Sequence, residues 1–560
     1  MKNIARTVKI ALLLASALVV LDSRAQLRID WQQCYGGLGS DSPYDFLSKD
    51  GGYIIVGKSD LGSGMISCGT QGSVGNWVFC IGENHEIVSQ DCFSGYHGVQ
   101  NAKDGDGGYY FHGKDYFPSS DNSGLRVVRT DENFKAIWER LLGCEEHFFP
   151  YKIHSVATDD GGIVCTTTKA EWACGDVSQY YGGIDIWVVK LDKNGGMEWE
   201  MSIGTEGGEA DQGVFAAKDG GLFVLCGATL SGVNGTIENC ARPNGYVDGL
   251  IVKLNARGEV EWNRCYGGFY DDLLHEVIEL PDGYLFGGTA SSTDGDLQDA
   301  GYHPGHWYGQ PWMLLTADAW LLRTDLDGNV LWSKCYGGTK EETIVKVFEN
   351  EDGGFTVFGA TMSLDGDSQS AHNLKPAYNL EIGNKLWVFR TDSSGNLLWE
   401  RAMGTQTEAH EYLADVIKYN DREYTMLAES GCSNGEIEMP CGDYNCTNDT
   451  AYLLHSHNNY WVLHVTDTVD YSTIQVAEQP DVPDGVVRVY PSPATHQVTV
   501  VGIGIRQVEL LNILGQAVLS ASYEPADRVT LEMSALKAGV YFVRVTEAGG
   551  NRSIRKIIKE

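Results

Sequence analysis

The chain has 560 residues, of which 42% are hydrophobic and 21% charged, a globular composition rather than a disordered one. Its formal charge is −35, from 41 basic and 76 acidic residues. That balance excludes a nucleic-acid partner, whose phosphates require clustered Lys and Arg. Residues 1–25 read as a signal peptide: Lys2, Arg6 and Lys9 precede an apolar run from Ile10 to Leu21. The run is short for a bilayer span, and Ser23-Arg24-Ala25 offers a cleavage site before Gln26. No later stretch approaches 18 uninterrupted apolar residues, so no transmembrane segment is expected in the mature chain.

From residue 26 to 467 one pattern returns seven times. Its clear copies are Asp318 to Gly338 and Leu386 to Trp399. Each copy predicts four strands. In the sixth they are 342–349, 354–361, 386–391 and 396–402. Asp352-Gly-Gly joins the first two and Asp392-Ser-Ser-Gly the last two, both tight-hairpin chemistry. A Trp recurs in the fourth strand at 31, 138, 199, 262, 332 and 399, with Ser89 in the remaining slot. The predicted fold is all-β: a seven-bladed β-propeller, six or eight blades fitting the spacing less well. A fourth strand, 28–35, stands first in the series, and a third strand, 460–466, stands last. The two are expected to pair and close the ring, which removes exposed sheet edges. The connections between second and third strands are the long ones, so length gathers on one face, where binding usually resides.

The 14 Cys all follow the apolar leader, in a chain bound for an oxidising compartment. Cys34, Cys92, Cys265 and Cys335 occupy one repeat position and are expected as buried thiols, because equivalent positions lie too far apart to bridge. Local staples are expected instead near loops, at Cys68 and Cys80, Cys165 and Cys174, Cys226 and Cys240, and within Cys432, Cys441 and Cys446.

After 467 the repeat stops. Residues 468–485 read as a linker, and 486–560 as six short strands forming a small Ig-like β-sandwich. This module carries Tyr490-Pro491-Ser-Pro493-Ala, Asn512-Ile-Leu-Gly515-Gln, Leu536-Lys-Ala-Gly539-Val-Tyr541 and Arg555-Lys556-Ile-Ile-Lys559. On those residues it resembles the type A C-terminal sorting domain of type IX secretion cargo, with Ser492 where that family more often has Asn. The resemblance implies a Bacteroidota-type host, Sec export and passage across the outer membrane by the type IX machinery. It further implies removal of the module, the protein being surface-attached or released. The repeats also resemble Trp/Asp-Gly-Gly propeller repeats of such secreted proteins, which carry no defined activity.

Enzyme motifs are largely absent. There is no Gly-x-Ser-x-Gly, and His275-Glu-Val-Ile-Glu and His410-Glu-Tyr-Leu-Ala lack the second His of a helical zinc site. Asp294, Asp296, Asp299, Asp365 and Asp367 cluster in long loops and are candidate calcium ligands, calcium being the one cofactor the sequence suggests. The alternative is turn-forming, solvated Asp. Tyr302, His303, His306, Trp307, Tyr308 and Trp312 make one insertion unusually aromatic, a candidate surface for a glycan or a protein, against simple self-packing. The expected function is therefore a secreted, cell-surface binding or adhesion module. The runner-up is a surface hydrolase of glycans or peptides, which two buried carboxylates of raised pKa in the central funnel would favour. A structural surface component is the third reading.

Overall fold

The computed structural model describes residues 27–37, 40–62, 64–69, 74–93, 96–103, 105, 107–116, 123–144, 152–170, 173–229, 236–237, 246–304, 316–374, 383–405, 410–431, 458–469, 488–490, 497–511, 517–534, 536–537, 539–547 and 552–559. Among the described residues the regular secondary structure is nearly all β-strand, and the chain divides into two units, 1–469 and 470–560. In the first unit the described strands sort into seven antiparallel groups of four, the third and fourth groups joined by one parallel bridge, Ile184 to Gly208. In the sixth group the strands are Glu342–Glu349, Phe355–Thr361, Lys385–Thr391 and Leu397–Met403.

The first strands are Ser42–Lys49, Tyr96–Asn101, Ile153–Ala157, Gly208–Ala216, Asp272–Leu280, Glu342–Glu349 and Tyr412–Lys418. Each touches the first strand of the next sheet, and Tyr412–Lys418 touches Ser42–Lys49. The first strands therefore surround a common centre, as in a β-propeller. The last sheet takes its fourth strand from the other end of the chain. Leu27–Tyr35 pairs antiparallel with Asn459–Asp467, from Leu27 opposite Asp467 to Tyr35 opposite Tyr460.

The repeat motif dictates how sheets stack. Third-strand Trp77, Trp187, Trp320, Trp387 and Trp461 are fully buried. Each indole N–H donates to the fourth strand of its own sheet, to Gln90, Glu200, Ser333, Glu400 and Gln32 respectively. The fourth-strand Trp instead reaches the next sheet. Trp138, Trp199 and Trp332 cover Gly195, Gly258 and Gly395 in its last hairpin, where a Cβ would come within 2.9 Å of the indole. Those glycines also have positive φ, so two constraints demand the same residue. Where the hairpin carries His85 instead, Trp31 stacks on the imidazole at 3.8 Å. The Tyr-Gly-Gly tyrosines bind across the same seams: Tyr266 to Gly328 O, Tyr336 to Gly395 O, and Tyr35 to His85 O at 2.7 Å, which ties the closing strand to the first sheet.

Ser89 breaks this rule and the next hairpin answers it. Phe134 stands where other hairpins have the glycine, at φ 64°. A cavity of about 310 Å3, lined by Val78, Cys80, Ser89, Phe111, Val128 and Phe134 among others, lies where the Trp is missing.

The hairpin Asp residues do more than cap turns. A basic residue near the end of the third strand, almost fully buried, reaches back to them: Lys253 to Asp219 at 2.8 Å, Arg390 to Asp352 at 2.7 Å, and likewise Lys190 to Asp160 and Arg323 to Asp282.

The cysteines depart from expectation. Cys92 pairs with Cys68 and Cys144 with Cys174, each with Cα atoms 5.6 Å apart. Cys34 and Cys265 are also disulfide-bonded, so of the four expected thiols only Cys335 is free. The supposed loop cysteines Cys80, Cys165 and Cys226 are free and buried. They sit on inner strands facing the core, whereas the cysteines that bridge on the outer side come from the loops and from the fourth strand or its end. Cys240, Cys432, Cys441 and Cys446 lie outside the described residues.

The second unit forms one hydrogen-bonded sheet of five strands around a core of Val498, Val500, Ile505, Val508, Leu510, Val529, Leu531, Met533, Val543 and Val545. One strand, Gln497–Leu511, runs long, with a register break between Val501 and Ile505.

Two outcomes test this packing. Deleting Leu27–Tyr35 is expected to lower the thermal midpoint of the whole first unit by more than about 5 °C, read by calorimetry; an unchanged midpoint would show that closure does not matter. Ser89→Trp alone is expected to cost about 1–3 kcal/mol by overpacking against Phe134. Adding Phe134→Gly should recover most of that loss in a denaturation double-mutant cycle, and additive losses would refute the compensation.

Candidate functional site

Two regions gather polar chemistry: the links on the loop face, and the ring centre. On the loop face the two Tyr-Gly-Gly links at 266–268 and 336–338 are each gripped by a Ser-x-Asp-Gly-Asp segment of the next sheet's long loop. Phe269 N–H donates to Asp294 Oδ1 at 2.8 Å, Gly267 N–H to Asp296 Oδ2 at 3.1 Å, and Tyr270 N–H to Ser292 Oγ at 2.8 Å. One repeat later Thr339 N–H donates to Asp365 Oδ1 at 2.8 Å, Gly337 N–H to Asp367 Oδ2 at 3.4 Å, and Lys340 N–H to Ser363 Oγ at 2.8 Å. Four of the five calcium candidates thus accept bonds from backbone N–H groups. Asp299 stands apart, exposed at φ 66°. Among the described residues no group of three or more His, Cys, Asp or Glu is arranged to hold a metal ion.

The two candidate sets meet at one point. His303 Nδ1 lies 2.9 Å from Asp318 Oδ2, and its Nε2 lies 3.9 Å from Asp367 Oδ2. The hydrogen bond to Asp318 raises the His303 pKa. Tyr302 is half-buried, packed against the seam core between the fourth and fifth sheets, and its hydroxyl donates to Thr316 O at 2.5 Å. Both residues anchor the base of the aromatic insertion. His306, Trp307, Tyr308 and Trp312 lie outside the described residues.

Beneath these links sits a row of buried carboxylates at the starts of first strands. Gly268 N–H donates to Asp272 at 2.7 Å, Gly338 N–H to Glu342 at 3.0 Å, and Thr205 N–H to Glu209 at 3.1 Å. Burial pushes Asp272 up to about 6, and Glu209 and Glu342 up to about 7. Each faces a third-strand residue across the seam. At Gly337, the position a Cβ would take is 2.2 Å from Glu342 Oε2 and 3.3 Å from Asp318 Cγ. Burial pushes Asp318 up to about 6, and its Oδ1 has no hydrogen-bond partner among the described residues. At the next seam a Lys replaces this Asp, and fully buried Lys385 and Glu411 pair at 2.6 Å.

The sequence points to the central funnel as the place for a hydrolase's carboxylates but names no residue there. Six of the seven first strands slip register by one residue at mid-strand, for example between Pro43 and Asp45, Leu274 and Glu276, Ile344 and Lys346, and Leu413 and Asp415. Such bulges re-aim side chains. Here they bring Asp45, Glu276, Lys346 and Asp415 together. Lys346 Nζ is 3.4 Å from Glu276 Oε1. Burial, then the neighbouring Asp415, raises Asp45; burial raises Asp415 and takes Glu276 up to about 7. Glu276, with the other two carboxylates, raises Lys346 in turn. First strands also carry His154 and His275, and a second strand carries His112. His154 Nδ1 is 3.1 Å from Asp211, His112 Nδ1 is 2.8 Å from Ser155 Oγ, and His275 Nε2 donates to Ile344 O at 2.5 Å. One signal was available. Asp45, Glu276 and Lys346 each stand eight residues after the second Gly of a link.

In the second unit Tyr541 donates its hydroxyl to Lys537 O at 3.0 Å, and Lys559 is buried. Tyr490, Gly539 and Lys556 fall on strands, while Pro491, Pro493 and Gly515 lie outside the described residues.

Residues 488–560 match the secretion system C-terminal sorting domain family. That domain marks the chain as cargo of a type IX secretion system, exported to or beyond the cell surface. No curated protein matches the chain in sequence. Among solved structures the chain is similar to the WD40 domain of Neurospora crassa Pan2 (10% identity, TM-score 0.34, covering 79% of this chain and 96% of that one). It is also similar to an ulvan lyase, a polysaccharide lyase (9%, TM-score 0.44, 71% and 93%), and to the parainfluenza virus 5 hemagglutinin-neuraminidase ectodomain (8%, TM-score 0.32, 80% and 85%). No helix among the described residues is long and apolar enough to cross a membrane.

The seam carboxylates make stability depend on pH. Their folded pKa values lie above the ordinary carboxyl value, so each binds its proton more tightly folded than unfolded. That stabilisation is full below about pH 4 and is lost as pH rises through about 7. We expect a higher midpoint at pH 5 than at pH 8, and a shallower pH slope in Glu342→Gln, followed by thermal scans; an unaltered slope would remove Glu342 from the account.

Proposed function

We propose that the chain is a secreted seven-bladed β-propeller, residues 26–467, that binds a glycan or a protein at the outer cell surface. In this reading residues 1–25 are a signal peptide, 468–485 a linker, and 486–560 an Ig-like sandwich that engages the type IX machinery. The observation that carries the binding role is the grip of Asp294, Asp296, Asp365 and Asp367 on the inter-sheet links. It fixes the bases of long loops on a rigid frame, so that a loop surface is presented without a large ordering cost on binding.

A second reading, a surface hydrolase of glycans or peptides, is favoured by the cluster of Asp45, Glu276, Asp415 and Lys346. Carboxylates pushed up by burial are suited to hold a proton for transfer near neutral pH. The binding reading is preferred because Lys346 compensates these carboxylates from within the ring, which gives the cluster a structural role.

Both readings are tested with the full chain on a glycan and protein array, alongside an assay for released sugars and peptides. Binding that survives Asp45→Asn and Asp415→Asn, with no product released, is the expected result. Product release that falls at least tenfold in either variant would replace the binding reading with the hydrolase.

A further inference from the structure

Three aromatic side chains meet on the loop face at the seam between the fourth and fifth sheets. Tyr246 immediately precedes the third strand Val247–Leu254, and Phe269 and Tyr270 follow the link glycines Gly267 and Gly268. Their ring centroids lie 5.4 Å apart for Tyr246 and Phe269, 5.6 Å for Tyr246 and Tyr270, and 5.1 Å for Phe269 and Tyr270. Tyr246 is 39% exposed and Phe269 43%, and the two rings are in mutual contact. Most other exposed apolar residues are aliphatic and scattered.

The backbone under these rings is held. Phe269 N–H binds Asp294, Tyr270 N–H binds Ser292, and Val247 N–H binds Asp271 Oδ1 at 3.0 Å. The polar groups at the rim are not consumed. The hydroxyls of Tyr246 and Tyr270 and the Oδ2 of exposed Asp271 make no hydrogen bond among the described residues. The patch thus offers exposed ring surface bordered by two hydroxyls and a carboxylate oxygen, all on fixed backbone.

We propose that Tyr246, Phe269 and Tyr270 form a platform for a neutral saccharide. The inference rests on the binding reading above and narrows it to a ligand class. Sugar rings present an apolar C–H face edged by hydroxyls, which matches exposed aromatic rings edged by hydrogen-bonding groups. Size argues against a protein partner here. The exposed parts of two large rings amount to on the order of 200 Å2, against about 800 Å2 per partner in a stable protein interface. Charge argues against an acidic glycan, because Asp271 and Asp294 lie at the patch on a chain of net charge −35.

The test is affinity electrophoresis of the full chain in gels containing laminarin, xyloglucan, galactomannan or soluble starch, with heparin and polygalacturonate as anionic probes. Retardation by at least one neutral polysaccharide is expected. It should weaken at least tenfold in Tyr246→Ala combined with Phe269→Ala, and less in Tyr270→Phe, with thermal midpoints unchanged. Three results would each overturn the platform: no retardation by any neutral probe, retardation by the anionic probes alone, or neutral retardation that the double variant leaves intact. The last would leave loop-face binding standing while removing these rings from it. Should the double variant alter the midpoint, Tyr270→Phe decides between the outcomes: undiminished retardation counts against the platform and weakened retardation for it.

Discussion

The nine-residue strand Asn459–Asp467 would end the chain's propeller with an unpaired edge were it not for Leu27–Tyr35. A bare edge of that length is a template for pairing with other chains, and it would leave one seam of the ring without its fourth strand. Where a Trp or Tyr reaches the next sheet at the other seams, it lies on the fourth strand. Closure by the opposite terminus supplies both at once: Trp31 stacks on His85, and Tyr35 binds its carbonyl. The ring therefore becomes one cooperative object through contacts between residues far apart in sequence.

Within that constraint, the irregular positions of the repeat change in matched pairs. A glycine lies beneath the Trp at several seams, a His stacks on it at the closing seam, and Phe134 answers Ser89 where the Trp is absent. Buried charge follows the same logic. Asp318 and Glu342 face each other at one seam with His303 hydrogen-bonded to Asp318, while Lys385 pairs directly with Glu411 at the next. A buried carboxylate needs a proton, a donor set or a cation, and neighbouring seams meet that need by different means on one backbone.

Much of this fold was legible because the repeat is periodic. The strands of the sixth unit fall within a residue of their expected positions, and the displaced terminal strand revealed the closure. The cysteines were misread for a physical reason. Equivalent positions in successive sheets are indeed too distant to bridge, but Cys92 meets Cys68 of a loop that folds back on its own sheet, and Cys144 meets Cys174 of the following one. The central charges were hidden by bulges. A one-residue slip in a strand reverses which side chains face inward, and simple alternation cannot anticipate it. The Tyr246, Phe269 and Tyr270 cluster was hidden differently, since its members come from a loop end and a link more than twenty residues apart.

The division of labour between centre and face follows from where rigidity and exposure coincide. In the centre, Asp45, Glu276 and Asp415 surround Lys346, and the charges are largely spent on one another. On the face, the Asp-Gly-Asp segments consume their carboxylates on the links, which leaves nearby side chains free to meet solvent from a fixed backbone. Recognition is cheapest where ordering has already been done. That condition holds at the loop bases of the fourth and fifth sheets, where Asp294 and Ser292 hold the backbone that carries exposed Phe269 and its neighbour Tyr270.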